Sequence, residues 1–599
     1  MIPHPAAASG EFDLFQPHSM MAGHQMTHDA TEPTSTEMKR KRLDGRGLFI
    51  TYFTAFWVGA TVLSLEIVGS RILAPFFGTG LYVWSSLLAA TMGGLGAGYH
   101  IGGKLADRSR GRSIIGILIT GGLCLLLTTV LGSGVVSMAY EMGLKLGSLT
   151  AAVVLLMPPL TILGAVTPSV LACVHFDAAR VGNDAGRLYA TATLGSLAGG
   201  LATGFFLLEY MSTTLLLMLM GIVLIILGLA WTVVFRKFFR PLYFILSVLP
   251  AVLLVMMNLL IGPGRFYTIY DNKKVLWSSN SVIGRVEVAD GNLRDSAGNL
   301  HRARFLMIDG RDQTIMELRN RSGNSTTGPD PGKSWNAFAY DFHMVRRLMP
   351  SAQKILVLGL GGGMLPLSLA QSGLEVDVVE IHPDVVRAAC DHFLNLPPVR
   401  NSRCIKDGSV TRALISEGDN EACMKMIVAD ARPYVRTYSG RYDIIICNAI
   451  VKDAPPYYLY SAESLFEMKS ILNRDGILAL NLLSGCRGSE GRATASVKKT
   501  LDSLFHDVRV FSRYVNPESE SATYGDVYFF ASSKSMRFSS WPGHIADDTA
   551  FEAEITASNQ ILSHEIMLPD NGSLLLSDAH NPMDIWLADN SVRWFNALR

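Results

Sequence analysis

Charge is scarce in this chain. Of 599 residues only 17% are Asp, Glu, Lys or Arg, and 52 basic against 51 acidic residues leave a formal charge of +1. Gripping nucleic acid through bulk phosphate neutralisation requires a broad basic field, so that class of partner is excluded. Cysteine is also sparse: seven residues (Cys124, Cys173, Cys390, Cys404, Cys423, Cys447 and Cys486), odd in number and without a C-x-x-C pair. Neither a disulfide-stapled scaffold nor a zinc ribbon fits that usage, and no metal is expected. Residues 1–47 hold no apolar stretch long enough for a signal-peptide core. Rich in His, Pro, Ser, Thr and Met, they read as a disordered tail that ends in the basic run Lys39 to Arg42. The histidines of the tail, His4, His18, His24 and His28, share no ligand spacing.

What is abundant is apolar sequence, 49% of the chain, concentrated between 48 and 262. Seven runs, 48–68, 81–103, 114–138, 148–174, 188–208, 212–235 and 242–262, are each about as long as a bilayer core requires at 1.5 Å per residue. The pattern predicts a polytopic α-helical membrane bundle over 48–262 with the lipid bilayer as its partner, an integral, multi-pass protein. Gly-rich stretches at 93–103 and 195–204 give the small-residue spacing that lets helices approach closely. Glu66 and Arg71, five residues apart at the end of the first run, are placed for an ion pair or a headgroup contact. Basic residues mark alternate loops as cytoplasmic (39–46, Lys104 to Arg112, Arg180 to Arg187, Arg236 to Arg240). Seven spans would then carry everything after 263 to the opposite side, while the unpaired Cys390, Cys404, Cys423, Cys447 and Cys486 lean toward a reducing compartment. Sequons at Asn320, Asn324 and Asn571 would be usable only in a eukaryotic lumen. The side of the soluble domain stays open.

After Gly262-Pro263-Gly264 the composition becomes that of a soluble α/β protein. Residues 263–350 contain β-type runs at 281–290, 302–310 and 311–318, then a helix from Trp335 to Leu348, and read as a small β-hairpin lid and linker. At Lys354 a fully apolar run, KILVLGL, leads into GGGMLPLSLAQSG and a second strand, LEVDVVE. Strand, glycine turn, helix and strand with a terminal acid form a βαβ opening of the nucleotide-binding kind. The glycines Gly359, Gly361, Gly362 and Gly363 allow close backbone approach to a ligand, and Glu380 is placed to bind ribose hydroxyls. Further strand-like runs at 425–430, 441–449, 476–483, 508–511 and 527–533 bring the total to seven, a doubly wound sheet over 351–535, with 536–599 as a C-terminal extension. Asp430, ending its strand as VADAR, can accept from an adenine amino group or cap the next helix.

Taken together, FLMIDGRDQ (305–313), GLGGGMLP (359–366), VVEIHPDVV (378–386), VADAR (428–432) and YDIIICNAIVKDAPPYYL (442–459) resemble the spermidine synthase-like aminopropyltransferases. LEIVGSRILAPFFGTGLYVWSS (65–86), GGKLADR (102–108), GRLYATATLGSLAGG (186–200) and SDAHNPMD (577–584) resemble the membrane-fused members of that family. The resemblance implies a Rossmann-like, methyltransferase-type sheet and transfer of a group from decarboxylated S-adenosylmethionine, or S-adenosylmethionine, to a small cationic amine such as putrescine, the chemistry of polyamine biosynthesis. It assigns Gly361, Gly362, Gly363 and Glu380 to the adenosyl part, Asp430 to adenine, and Gln313, Tyr340 and Asp453 to the amine side. Two positions depart from the family: Met364 stands where soluble members carry Asp, and Asn448 where the general base Asp would stand. An amide accepts no proton near neutral pH, so Asp453 is the candidate to replace it. A catalytically degenerate sensor of nucleosides or polyamines, and a transporter regulated by its soluble domain, are the alternative readings; oligomeric state is left open.

Overall fold

The computed structural model describes the chain from 45 to 587 apart from 78–79, 110–111, 174–180, 235–240, 262–272, 282–283, 295–297, 319–333, 395–401, 418–419, 451–455, 489, 513–523, 543–544, 546–551, 571 and 584–585. Most of the N-terminal tail, the Gly262 to Gly264 boundary, the three sequons and Asp453 lie outside the described residues.

Seven helices of 21 to 33 residues occupy the apolar half among the described residues: Gly45–Phe77, Leu81–Ser109, Ile114–Tyr140, Gly143–Gly164, Val181–Ala202, Thr213–Val234 and Pro241–Ile261. Five helical segments, Gly47–Ala74, Ile114–Tyr140, Gly143–Leu171, Gly182–Leu207 and Thr213–Val234, are long and apolar enough to cross a bilayer. Leu81–Ser109 is not among them, because its interior is spent on glycines and polar residues. Those glycines serve packing instead. A side chain at Gly98 would collide with the Thr161 carbonyl of Gly143–Gly164, and one at Gly195 with the Phe56 carbonyl of the first helix. Where helices have no hydrophobic force between them, such close backbone approach is what dispersion needs.

The remainder forms two sheets. Strands β1 (Lys274–Asn280), β2 (Arg285–Arg294), β3 (Leu300–Ile308) and β4 (Arg311–Glu317) make an antiparallel meander in chain order, β1 being added to the three expected runs. The second sheet has nine strands in the order β12-β13-β11-β10-β5-β6-β9-β8-β7. Its centre is β5 (Lys354–Leu358), β6 (Glu375–Glu380), β9 (Asn420–Val428), β10 (Tyr442–Cys447) and β11 (Leu472–Gly485), all parallel where they pair with one another. β12 (Asp507–Phe511) and β13 (Tyr524–Ser532) add antiparallel to one edge. The other edge is a hairpin, β7 (Ser402–Asp407) and β8 (Val410–Glu417), which takes the sheet from seven expected strands to nine. Its polar, irregular sequence carries none of the continuous apolar character of a buried parallel strand.

The hairpin also corrects the cysteine reading. Cys404 on β7 is disulfide-bonded to Cys390, with Cα atoms 6.1 Å apart, whereas both were expected unpaired. The pairing depends on a strand that sequence did not reveal. Central-strand residues Ile355, Leu356, Val357, Val378, Ile444, Ile445 and Ile446 are fully buried, so the sheet is covered on both faces as parallel sheets require.

Candidate functional site

The chain order of β5, β6, β10 and β11 reverses direction between β5 and β10, and ligands of open α/β sheets bind at that switch point. A cleft of about 400 Å³ lies there, at the carboxyl ends of these strands, lined on its polar side by Asp312, Gln313, Glu380, His382, Asn448 and Asp526. Val379, Ile381, Ala429, Ala431 and Ile450 supply an apolar wall.

The glycine turn is shaped for close approach. Gly359 has φ +100°, and a Cβ there would lie 2.6 Å from the Asn448 carbonyl oxygen, so only glycine lets β5 and β10 meet at this height. The Gly362 N–H donates to Thr314 Oγ1 at 2.8 Å, which ties the turn to β4 of the small sheet. Glu380 ends β6 and is almost wholly buried. Its Oε2 accepts from the Leu360 N–H at 3.0 Å and its Oε1 from the His382 N–H at 2.9 Å. Burial pushes its pKa up, and these backbone bonds oppose the shift.

Gln313, Gly359, Gly361, Glu380 and Asn448 thus share one cleft. Gly362 and Gly363 complete the turn, and Gly363 begins the helix Met364–Gln371 with φ +81°. Asp430 caps the helix Ala431–Thr437 by accepting from the Arg432 N–H at 3.1 Å, between two residues that line the cleft. Tyr340 is not among the lining residues; its hydroxyl accepts from the Ser334 N–H at 2.6 Å, while its neighbours Asn336 and Phe338 face the cleft. Sequence reasoning did not single out Asp312, which pairs with Lys273 at 2.5 Å, nor Asn481 and Asp526, which no motif marks.

The SDAHNPMD motif has a structural place. Arg432 donates to Asp578 at 2.6 Å and to Glu467 at 3.0 Å; Ser461 donates to Asp578 at 2.6 Å and Asn581 to the Tyr457 carbonyl at 2.8 Å. The motif therefore clamps the segment around Tyr457 to Ser461, whose Tyr458 and Leu459 wall the cleft. A larger groove of about 890 Å³ runs beside Ile101, Leu105, Arg108, Arg112 and Ile115 of the long helices. Its described lining holds no Asp, Glu, His or Cys, whereas the smaller cleft gathers Asp312, Glu380, His382 and Asp526.

Residues 342–536 match the family model described as "Spermine/spermidine synthase domain". Over 140 residues the chain is 29% identical to a polyamine aminopropyltransferase of Vibrio vulnificus, a match covering 22% of this chain and 39% of that protein. It is 28% identical over 163 residues to an N-terminal histidine N-methyltransferase of Emericella nidulans, 27% of this chain and 25% of that one. The chain thus spans well under half the length of these curated relatives. The crystal structure of spermidine synthase from Thermotoga maritima is similar over 44% of this chain and 73% of that one, with 17% identity and a TM-score of 0.29. The C-terminal half has a Rossmann-like methyltransferase fold with a mixed sheet, and across residues 342–536 the chain carries a spermidine synthase-like domain.

Proposed function

We propose that this chain transfers an aminopropyl group from decarboxylated S-adenosylmethionine to a small amine such as putrescine, with its long apolar helices set in a lipid bilayer. In this reading the Gly359 to Gly363 turn and Glu380 hold the adenosine, the wall of Val379, Ile381, Ala429 and Ala431 takes the adenine face, and Gln313 and Asn448 flank the reacting end. The step is a displacement. The nitrogen lone pair forms an N–C bond to the carbon beside the sulfonium, the C–S bond breaks with its electron pair left on sulfur, and the nitrogen gives up a proton.

One observation carries the choice of donor. Among the described residues lining the cleft there is no Lys and no Arg, while Asp312, Glu380 and Asp526 all face it. Burial lowers the pKa of His382, the one ring base among the described lining residues. S-adenosylmethionine carries an α-carboxylate that would meet Glu380 and Asp526 with no lining cation among the described residues, Asp312 being already paired with Lys273, whereas the decarboxylated donor lacks that carboxylate and brings only positive charge to these acids. The test is to load the full chain in lipid nanodiscs with each donor in turn, plus putrescine, and to measure product amine and methylthioadenosine. Product from the decarboxylated donor alone supports the reading. Turnover of S-adenosylmethionine alone, with methyl transfer, refutes it in favour of the chemistry named for the Emericella relative.

A further inference from the structure

We propose that Asp526 on β13 is the residue that takes the proton from the attacking amine, held in place by Asn481, so that the carboxylate missing at Asn448 is supplied from two strands away. The inference rests on the transferase reading above and assigns the proton acceptor within it.

Strand register makes the placement. Along the antiparallel pair β11 and β13, Leu483 faces Asp526 and Asn481 faces Tyr528, so Asn481 and Asp526 are diagonal neighbours on one face of the sheet. Asn481 Nδ2 donates to Asp526 Oδ1 at 3.0 Å and to Asn448 Oδ1 at 3.0 Å. Asn448 follows β10, which is parallel to β11, so the chain Asn448, Asn481, Asp526 crosses three adjacent strands at the edge where the cleft opens. Asn448, Leu483 and Asp526 all line that cleft, together with Gln313. Asp526 thus stands on the same edge of the sheet as Asn448, the two joined through the side chain of Asn481.

The charge balance singles out Asp526 among the described acids of the cleft. Asp312 is neutralised by Lys273 at 2.5 Å. Both oxygens of Glu380 are held by backbone N–H groups. The side-chain partner of Asp526 is a neutral amide, and among the described residues no Lys, Arg or His lies within 4.0 Å of it. The titratable group facing it is another acid, Asp341, from the helical turn Phe338–Asp341; the residues beside it on β11 and β13 are Asn481, Leu483 and Tyr528. A buried carboxyl with another acid facing it draws in an ammonium group and holds its proton well. Burial pushes the Asp526 carboxyl up to about 6, close to where a general base working near neutral pH should titrate. In the step, the ammonium proton passes to Asp526, the freed lone pair makes the N–C bond, and the sulfur leaves with the C–S electron pair.

The test uses the full chain in nanodiscs, as wild type, Asp526→Asn, Asn481→Ala and the double variant Asn448→Asp/Asp526→Asn. Asp526→Asn is expected to lower kcat by about 100-fold or more, the worth of a positioned base, with donor affinity within twofold, and to remove the acid limb of kcat/KM near pH 6. Asn481→Ala should lower kcat less and shift that limb without removing it, and Asn448→Asp should return part of the activity to Asp526→Asn. Turnover of Asp526→Asn within threefold of wild type, with the acid limb retained, overturns the assignment. If wild type binds the donor nucleoside and forms no product, the transferase reading fails, and the assignment is then decided by calorimetry of putrescine binding to the donor-loaded chain. A loss of tenfold or more in Asp526→Asn upholds Asp526 as the ammonium's proton partner; unchanged putrescine affinity overturns it.

Discussion

A carboxylate kept in an apolar, acid-lined cleft should cost stability, and Asp526 allows the cost to be worked out. Burial raises its carboxyl from an ordinary 3.8 to about 6, with Asp341 adding to the shift and the Asn481 hydrogen bond opposing it. At roughly 1.4 kcal/mol per pH unit, a shift of about two units is worth about 2–3 kcal/mol. The sign follows from proton counting: between about pH 4 and 6 the folded chain binds more proton at this site than the unfolded chain. Stability is therefore lost as pH rises through that window, the loss being complete above the folded pKa and absent below the unfolded one. Asp526→Asn keeps the acceptor oxygen for Asn481 and removes the charge. It should be more stable than wild type by about 2–3 kcal/mol at pH 8 and no more stable at pH 4. The assay is the denaturation midpoint of both full-length proteins in one detergent, followed by far-ultraviolet circular dichroism; other groups titrate alike in both and cancel. Equal midpoints at pH 8, or an advantage that persists at pH 4, would refute the reasoning. The expected pairing of higher stability with lost turnover is the trade-off of a strained functional site.

Gly359→Ala should reduce donor-nucleoside affinity tenfold or more, because φ +100° and a Cβ 2.6 Å from the Asn448 carbonyl oxygen force β5 and β10 apart; calorimetry showing unchanged affinity would refute it. His343 is fully buried with neither ring nitrogen hydrogen-bonded among the described residues, and burial holds its pKa down at about 3. Its folded pKa lies below its unfolded one, so stability is lost as pH falls below about 6.5, by about 2 kcal/mol at pH 5; His343→Leu should flatten the midpoint between pH 7 and pH 5 by that amount. Asp578→Ala removes the partner of Arg432 and Ser461 and should lower stability by only about 1 kcal/mol, since the pair is partly exposed. It should raise the KM for the amine through the loosened Tyr458 wall, and an unaltered KM would count against the clamp.

The parts of this architecture that sequence revealed are those whose signal is local. KILVL, DVVE and YDIIIC are buried on both faces, so their continuous apolar runs mark parallel strands directly, and the left-handed turn after β5 is written in its glycines. The β7–β8 hairpin is an edge element, where exposed faces permit polar residues, and it left no comparable trace; the Cys390–Cys404 pairing was hidden with it. The run 81–103 has the length of a span, yet Leu81–Ser109 is not among the described helices apolar enough to cross a bilayer, its Gly98 and Gly102 lying against the backbone of Thr161 and Ala165. Asp526 was illegible for a different reason. Its part in the cleft comes from the register of β13 against β11, and an antiparallel strand joined to its partner through a third strand carries no spacing that sequence can show.

The small sheet also explains how the long helices and the cleft come to share one body. β4 begins with Arg311, whose guanidinium donates to the Phe76 carbonyl at the end of the first long helix, at 3.4 Å, and lies 5.7 Å from the Tyr140 ring at the end of Ile114–Tyr140. The next two residues, Asp312 and Gln313, line the cleft, and Thr314 holds the Gly362 N–H of the glycine turn. Four consecutive residues of one strand thus touch the helices, the polar wall and the donor turn in succession. A cation at a helix C-terminus meets carbonyls that the helix leaves unpaired, so the contact is favourable whatever side chains the helix carries. The first helix therefore bears on the cleft through Arg311, because the end of that helix and the wall to which Asp312 and Gln313 belong are held by adjacent residues of β4.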